Sequence, residues 1–210
     1  MLGLEVAPWG TVCGSLAHAH RAAELPALAL ALDAELVAEG PGGRRVIPAE
    51  RFFVTSLTTD LGTDEFLAEV RFPLGGEATG WGFQELSRRF GDYAMAVAAT
   101  VLVTASDGTI AKARIALAGV ADRAVRAREA EALLVGTPGA EDRFAEAARV
   151  ATVALTPPAD MHGSSASRRH LAGGPGRACP RRRLGPSPSA RSLASPRPAA
   201  EPVGDKPLIA

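Results

Sequence analysis

Two long apolar runs joined by Ser106-Asp107-Gly108-Thr109 constrain this chain more than any other feature. Before the turn, Met95 to Val103 is rich in Ala and β-branched residues. After it, Ile110, Lys112 and Arg114 alternate with Ala111, Ala113 and Ile115, and the run continues to Val120. Asp-Gly suits a tight hairpin because the glycine accepts positive φ without steric cost. The segment therefore predicts two antiparallel strands. Gly82 to Arg89 reads as a further strand ahead of them. Helices follow over Val125–Leu134 and Glu141–Leu155, the second with Phe144, Ala147, Ala148 and Ala151 at helical spacing and Pro157-Pro158 as its stop. Ser164 and its neighbours are placed to cap a third helix reaching Leu171. Residues 79–172 thus read as one antiparallel sheet with helices.

The preceding section mixes both kinds of element, which makes the fold class α+β. Ala27 to Leu32 is an apolar run compatible with helix or strand. Pro41-Gly42-Gly43 marks a turn, so Ala34–Ala38 and Arg44–Pro48 are expected to pair as a hairpin. Pro48 to Phe53 reads as one helical turn. Glu65 to Pro73 alternates apolar and polar residues, as a half-buried strand does.

The formal net charge is zero, yet the charges are unevenly placed. Residues 1–172 carry 16 basic and 21 acidic residues, and residues 173–210 carry 7 and 2. The mildly acidic body gives no electrostatic reason to expect nucleic acid as a partner. The last 38 residues hold half of the 16 prolines and no hydrophobic periodicity. Such a composition cannot bury enough apolar surface to offset its ordering entropy, so a disordered tail is expected. With two Lys against 21 Arg, the chain has the composition of a GC-rich gene, and a shifted reading frame would produce a tail of this kind. No apolar run approaches the eighteen residues or more that a membrane helix needs. With no signal-peptide pattern at the start either, the expectation is a cytoplasmic protein. Cys13 and Cys179 lack the paired spacing of a disulfide framework or zinc site.

The segment most suggestive of chemistry runs from Gly10 to Pro26. Small residues and short hydroxyls (Gly10, Thr11, Gly14, Ser15) let backbone N–H groups and hydroxyls approach a phosphate, and Glu24 can accept from ribose hydroxyls. The chain contains no Gly-x-Gly-x-x-Gly, P-loop or nucleophile elbow. His18 and His20 without a third ligand make a poor metal site.

This segment resembles the second flavin-binding segment in the medium, FAD-carrying subunits of molybdenum hydroxylases, the carbon monoxide dehydrogenase and xanthine dehydrogenase type. That family reads Thr-x-Gly-Gly-Ser/Asn, with Asp or Glu ten residues after the second Gly. Thr11, Gly14, Ser15 and Glu24 keep the spacing, and Cys13 stands where the family has a Gly. A side chain at that position would cost on the order of 1 kcal/mol or more if the backbone there took positive φ. Three further stretches resemble the family: Asp64 to Pro73, Phe83 to Ala94 with its Arg-x-Gly-Asp-aromatic-Ala ending, and Asp160 to Leu171.

The resemblance implies the back part of a PCMH-type FAD-binding domain over residues 1–76. It implies a carbon monoxide dehydrogenase flavoprotein C-terminal domain over 79–172, ahead of the tail at 173–210. It implies FAD as cofactor, held by Thr11, Gly14, Ser15 and Glu24, with Leu67 packing near the flavin ring and Gln84 where many members carry a flavin-contacting Lys. It implies partner subunits: a large one with the molybdenum cofactor and a small one with 2Fe–2S clusters. The activity implied is electron transfer from those clusters through FAD to an external acceptor, without a catalytic acid or base on this chain. In the family a preceding lobe carries a first flavin motif, of which residues 1–9 show no trace. A second reading is therefore a non-catalytic remnant or split-gene fragment that folds and docks on partner subunits without binding FAD.

Overall fold

The computed structural model describes residues 10–73, 79–89, 92–153, 155–159 and 163–173. The expected tail, apart from Gly173, and the motif residues Phe90, Gly91, Asp160, Met161 and His162 lie outside the described residues.

Two short helices open the described chain, α1 (Val12–His18) and α2 (Glu24–Ala31). The ambiguous apolar run is helical. Glu24 sits in the first turn of α2, and every residue after it is apolar. A helix with so little polar surface must be covered on several sides, and α2 packs against α1, α3 (Ala49–Phe52) and three strands of the C-terminal sheet. A three-stranded antiparallel sheet follows, in the order β2 (Gly43–Pro48), β1 (Glu35–Gly40), β5 (Phe66–Arg71). The expected hairpin closes with Gly40 opposite Gly43. Between β2 and β5 lie α3 and a two-stranded ribbon, β3 (Phe53–Thr55) with β4 (Thr58–Thr59).

The second sheet is an antiparallel meander of β6 (Thr79–Leu86), β7 (Ala96–Thr104), β8 (Ile110–Ala118) and β9 (Val125–Arg126). At the hairpin turn, Asp107 Oδ1 accepts from the Thr109 N–H at 2.9 Å and from its hydroxyl at 2.7 Å. Three helices complete the chain: α4 (Arg128–Leu134), α5 (Glu141–Val153) and α6 (Ser165–Gly173). The helix expected from Val125 begins three residues later. Val125 and Arg126 pair instead with Leu117 and Ala116, where they gain ladder hydrogen bonds. The Ser164 hydroxyl accepts from the Ser167 N–H at 3.1 Å and caps α6, as its position predicts.

Strand alternation divides the core in two. Val97, Ala99 and Val101 of β7, with Ala116 and Ala118 of β8, face α2 and join a cluster that includes Leu16, Leu30, Leu36, Ile47, Phe52 and Leu67. Ala96, Ala113 and Leu117 face the other way, onto Ala130 and Leu134 of α4 and Ala147 of α5. The first cluster therefore runs unbroken from the N-terminal elements into the C-terminal sheet. Alanines line much of both partners (Ala27, Ala29 and Ala31 on α2, Ala99, Ala116 and Ala118 on the strands), and small side chains permit close approach of helix and sheet. Fully buried Phe52, Leu16 and Leu36 supply bulk, each worth about 1.5–3 kcal/mol by transfer from water.

Candidate functional site

The Gly10–Ser15 segment is a helix start. Thr11 has extended backbone (φ −118°, ψ 154°), and its hydroxyl accepts from the Gly14 N–H at 2.9 Å, a side-chain N-cap. Of the small residues grouped here, Cys13, Gly14 and Ser15 already belong to α1. A Cβ on Gly14 would lie 2.8 Å from Thr11 Oγ1, so close approach, rather than positive φ, calls for glycine at this position. Cys13 is helical, half-buried and packed against the first core cluster. It is not among the residues with positive φ, so its side chain carries no backbone strain.

Among the described residues, the helix start presents backbone donors that have no intrahelical acceptor. The Val12 and Cys13 N–H groups precede any possible intrahelical acceptor, and Gly10, Thr11, Val12 and Gly14 are exposed around them. Gly14, by contrast, spends its N–H on the cap. An anionic oxygen outside the start of α1 would meet two N–H groups and no carboxylate within the first turn of the helix. These residues fit one phosphate contact of a dinucleotide.

The other expected site residues are placed at different points around α1. Leu67 lies on β5 beneath α1 and is only 7% exposed, which makes it a core residue that supports the helix from below. Glu24 begins α2, beyond the opposite end of α1, which is about 10 Å long. Ser15 is half-buried one turn into the helix. Gln84 is not brought to this group. It pairs with Ala98 on β7, and paired residues share a face, so Gln84 projects on the side of the sheet covered by α4 and α5. Its neighbours Trp81, Phe83 and Glu85 pair with Val101, Ala99 and Val97 on the α2 side. Trp81 is 72% exposed on this edge strand. A one-residue difference along a strand reverses the face, and sequence alone does not show which phase is which.

A contact that the sequence did not announce joins the α1–α2 connection to the C-terminal section. The His20 and Tyr93 rings stack with centroids 4.1 Å apart and planes 28° apart, and His18 lies nearly parallel to His20 at 6.3 Å. Nearby, the Gly119 N–H donates to the Arg21 carbonyl at 2.8 Å. Arg168 of α6, within the expected closing motif, is buried and donates through Nη1 to the carbonyls of Met95 and Gly119 at 2.9 and 3.0 Å. Among the described residues no group of His, Cys, Asp or Glu is arranged to hold a metal ion. None of the helices there is long and apolar enough to cross a membrane.

Comparison with known proteins bears on the family and the fold. Residues 5–75 match the FAD binding domain in molybdopterin dehydrogenase, and residues 81–175 match the CO dehydrogenase flavoprotein C-terminal domain. The carbon monoxide dehydrogenase medium chain of Hydrogenophaga pseudoflava is 36% identical over 164 residues, covering 78% of this chain and 57% of the relative. The 6-hydroxypseudooxynicotine dehydrogenase complex subunit alpha of Paenarthrobacter nicotinovorans is 38% identical over 77% of this chain and 55% of its own length. A solved structure of carbon monoxide dehydrogenase from Hydrogenophaga pseudoflava superposes with a TM-score of 0.79 at 37% identity, covering 82% of this chain and 60% of that one. The chain thus spans a little over half the length of the relatives it matches. It belongs to the family of medium, FAD-binding subunits of molybdenum hydroxylases, a family of oxidoreductases.

Proposed function

We propose that this chain binds FAD and forms the electron-transfer part of a molybdenum-containing dehydrogenase. In this reading a large subunit oxidises substrate at a molybdenum cofactor, and a small subunit relays the electrons through iron–sulfur clusters. This chain passes them to an external acceptor. The flavin, when bound, supplies the conversion between one- and two-electron steps, and the protein supplies binding and orientation.

The observation that carries the proposal is the Thr11-capped start of α1, in a segment where the family model for FAD binding matches. The N–H groups of Val12 and Cys13 hold a phosphate oxygen. Thr11 and Gly14 shape the helix start that aims them. Ser15 braces the first turn, and Glu24 accepts from a ribose hydroxyl about one helix length away. Leu67 fixes the height of α1 over β5. Gln84 is given no flavin contact, because its side chain leaves the far face of the sheet. Residues 1–76 and 79–172 act as the flavin-holding and the C-terminal sections, and the protein works in the cytoplasm.

The test is the visible absorption spectrum of the chain after incubation with FAD and desalting. Flavin retained near one equivalent, and lost in Glu24→Ala with Thr11→Ala, supports the proposal. A folded, colourless protein overturns it and leaves a chain whose family membership no longer includes cofactor binding.

A further inference from the structure

We propose that His20 is a pH-responsive pin, covering the Tyr93 ring while its imidazole is neutral and swinging away when it is protonated. Three contacts define the neutral state. His20 stacks on Tyr93 at 4.1 Å, its Nδ1 accepts the Ala22 N–H at 3.3 Å, and His18 lies parallel at 6.3 Å. An Nδ1 that accepts must be unprotonated, which places the ring hydrogen of the neutral form on Nε2. Protonation would turn a donor toward the Ala22 N–H and place a positive charge beside Arg21 and His18.

The charged and titratable groups next to the ring, in contact or in sequence, come from several elements. His18 belongs to α1, and Arg21 belongs to the connection itself. Tyr93, with Asp92 beside it in sequence, comes from the segment entering β7, and Glu24 opens α2. The Tyr93 ring face attracts an imidazolium. Burial, Arg21 and then His18 oppose the charge and hold the imidazole below its ordinary value of 6.5. The backbone on either side is tied down, because the Ala19 and Arg21 carbonyls accept from the Leu57 and Gly119 N–H groups at 3.0 and 2.8 Å. What moves on protonation is therefore the side chain.

The experiment does not need the flavin. Tyr93 is the single tyrosine of the chain, so its ring protons give unambiguous NMR signals. The expected result is one titration step in those signals, at a midpoint below 6.5 and shared with the His20 Cε1 proton, over about pH 5 to 8. His20→Gln abolishes the step, and His18→Gln moves its midpoint upward by removing a neighbouring charge. Tyr93 signals that stay flat, or that titrate unchanged in His20→Gln, overturn the proposal. If His20→Gln does not fold, His18→Gln decides, and an unmoved midpoint overturns it.

Discussion

Arg126 donates to both carboxylate oxygens of Glu131, from Nε at 2.6 Å and from Nη2 at 2.8 Å, with both side chains almost fully buried. The remaining guanidinium nitrogen, Nη1, reaches Asp33 Oδ1 at 2.7 Å and the Leu30 carbonyl at 3.2 Å. Glu131 also accepts the Ile115 N–H at 2.8 Å. One arginine on β9 therefore joins the end of α2 to α4 and β8. Removing one member of a buried pair leaves the other charge uncompensated. Arg126→Ala is expected to destabilise the fold by about 3–5 kcal/mol, read as a lower urea midpoint. The double change Arg126→Met with Glu131→Leu should cost much less than the two single changes together.

Asp33 gives the fold an acid limit. It sits just past α2 at φ 50° and receives Arg126, Lys112 and Arg114. Burial opposes its ionisation, but hydrogen bonds and charge from Arg114 and Arg126 outweigh burial and hold its pKa below the ordinary carboxylate value. A folded-state pKa below the unfolded one means that the stabilisation is present above about pH 4 and is lost as pH falls through the folded value. Asp33→Asn should therefore flatten the acid limb of a stability–pH curve measured by urea unfolding between about pH 2 and 5. Its effect is expected to be partial, since the Asp33 side chain is 43% exposed and solvent screens it.

Gly119 closes β8 with φ +78°, and a Cβ there would lie 2.9 Å from the Met95 carbonyl oxygen and 3.1 Å from that of Ala94. Both oxygens belong to backbone that has little room to shift. Gly119→Ala is expected to cost about 1–3 kcal/mol from the unfavourable φ alone, with the clash in addition. Thermal melting would show it. The nearby Arg168 contacts to Met95 and Gly119 should weaken together with it, detectable as faster proteolysis at α6.

Thr11→Ala removes the cap of α1 and should cost about 1 kcal/mol, whereas Thr11→Ser should restore most of it. Gly14→Ala should resemble Thr11→Ala, since the added methyl displaces the same hydroxyl. If the start of α1 holds a phosphate of FAD, both changes weaken flavin retention by more than they lower stability. Isothermal titration with FAD beside thermal melts separates the two effects.

The hairpins around Pro41-Gly42-Gly43 and Asp107-Gly108 were legible because each turn needs positive φ at one position, Gly43 and Gly108, where glycine fits without steric cost. The helices α5 and α6 were legible because their apolar spacing, proline stop and serine cap act locally. Gln84 and the start of α4 were not. The face that Gln84 takes depends on the pairing of β6 with β7, and Val125-Arg126 becomes strand only because β8 offers a partner. The His20–Tyr93 stack escaped sequence reasoning because its rings lie more than seventy positions apart, with no pattern linking them.

The sequence by itself determined most of the strands, the turns, the serine cap of α6 and the family, all set by local backbone chemistry or by spacing along the chain. Tertiary structure alone decided that α2 packs on the C-terminal sheet and that Arg126 holds its end. It also decided that Leu67 is a core residue and that Gln84 faces away from α1. Those outcomes depend on which surfaces meet, and burial is a property of the meeting surfaces rather than of either segment alone.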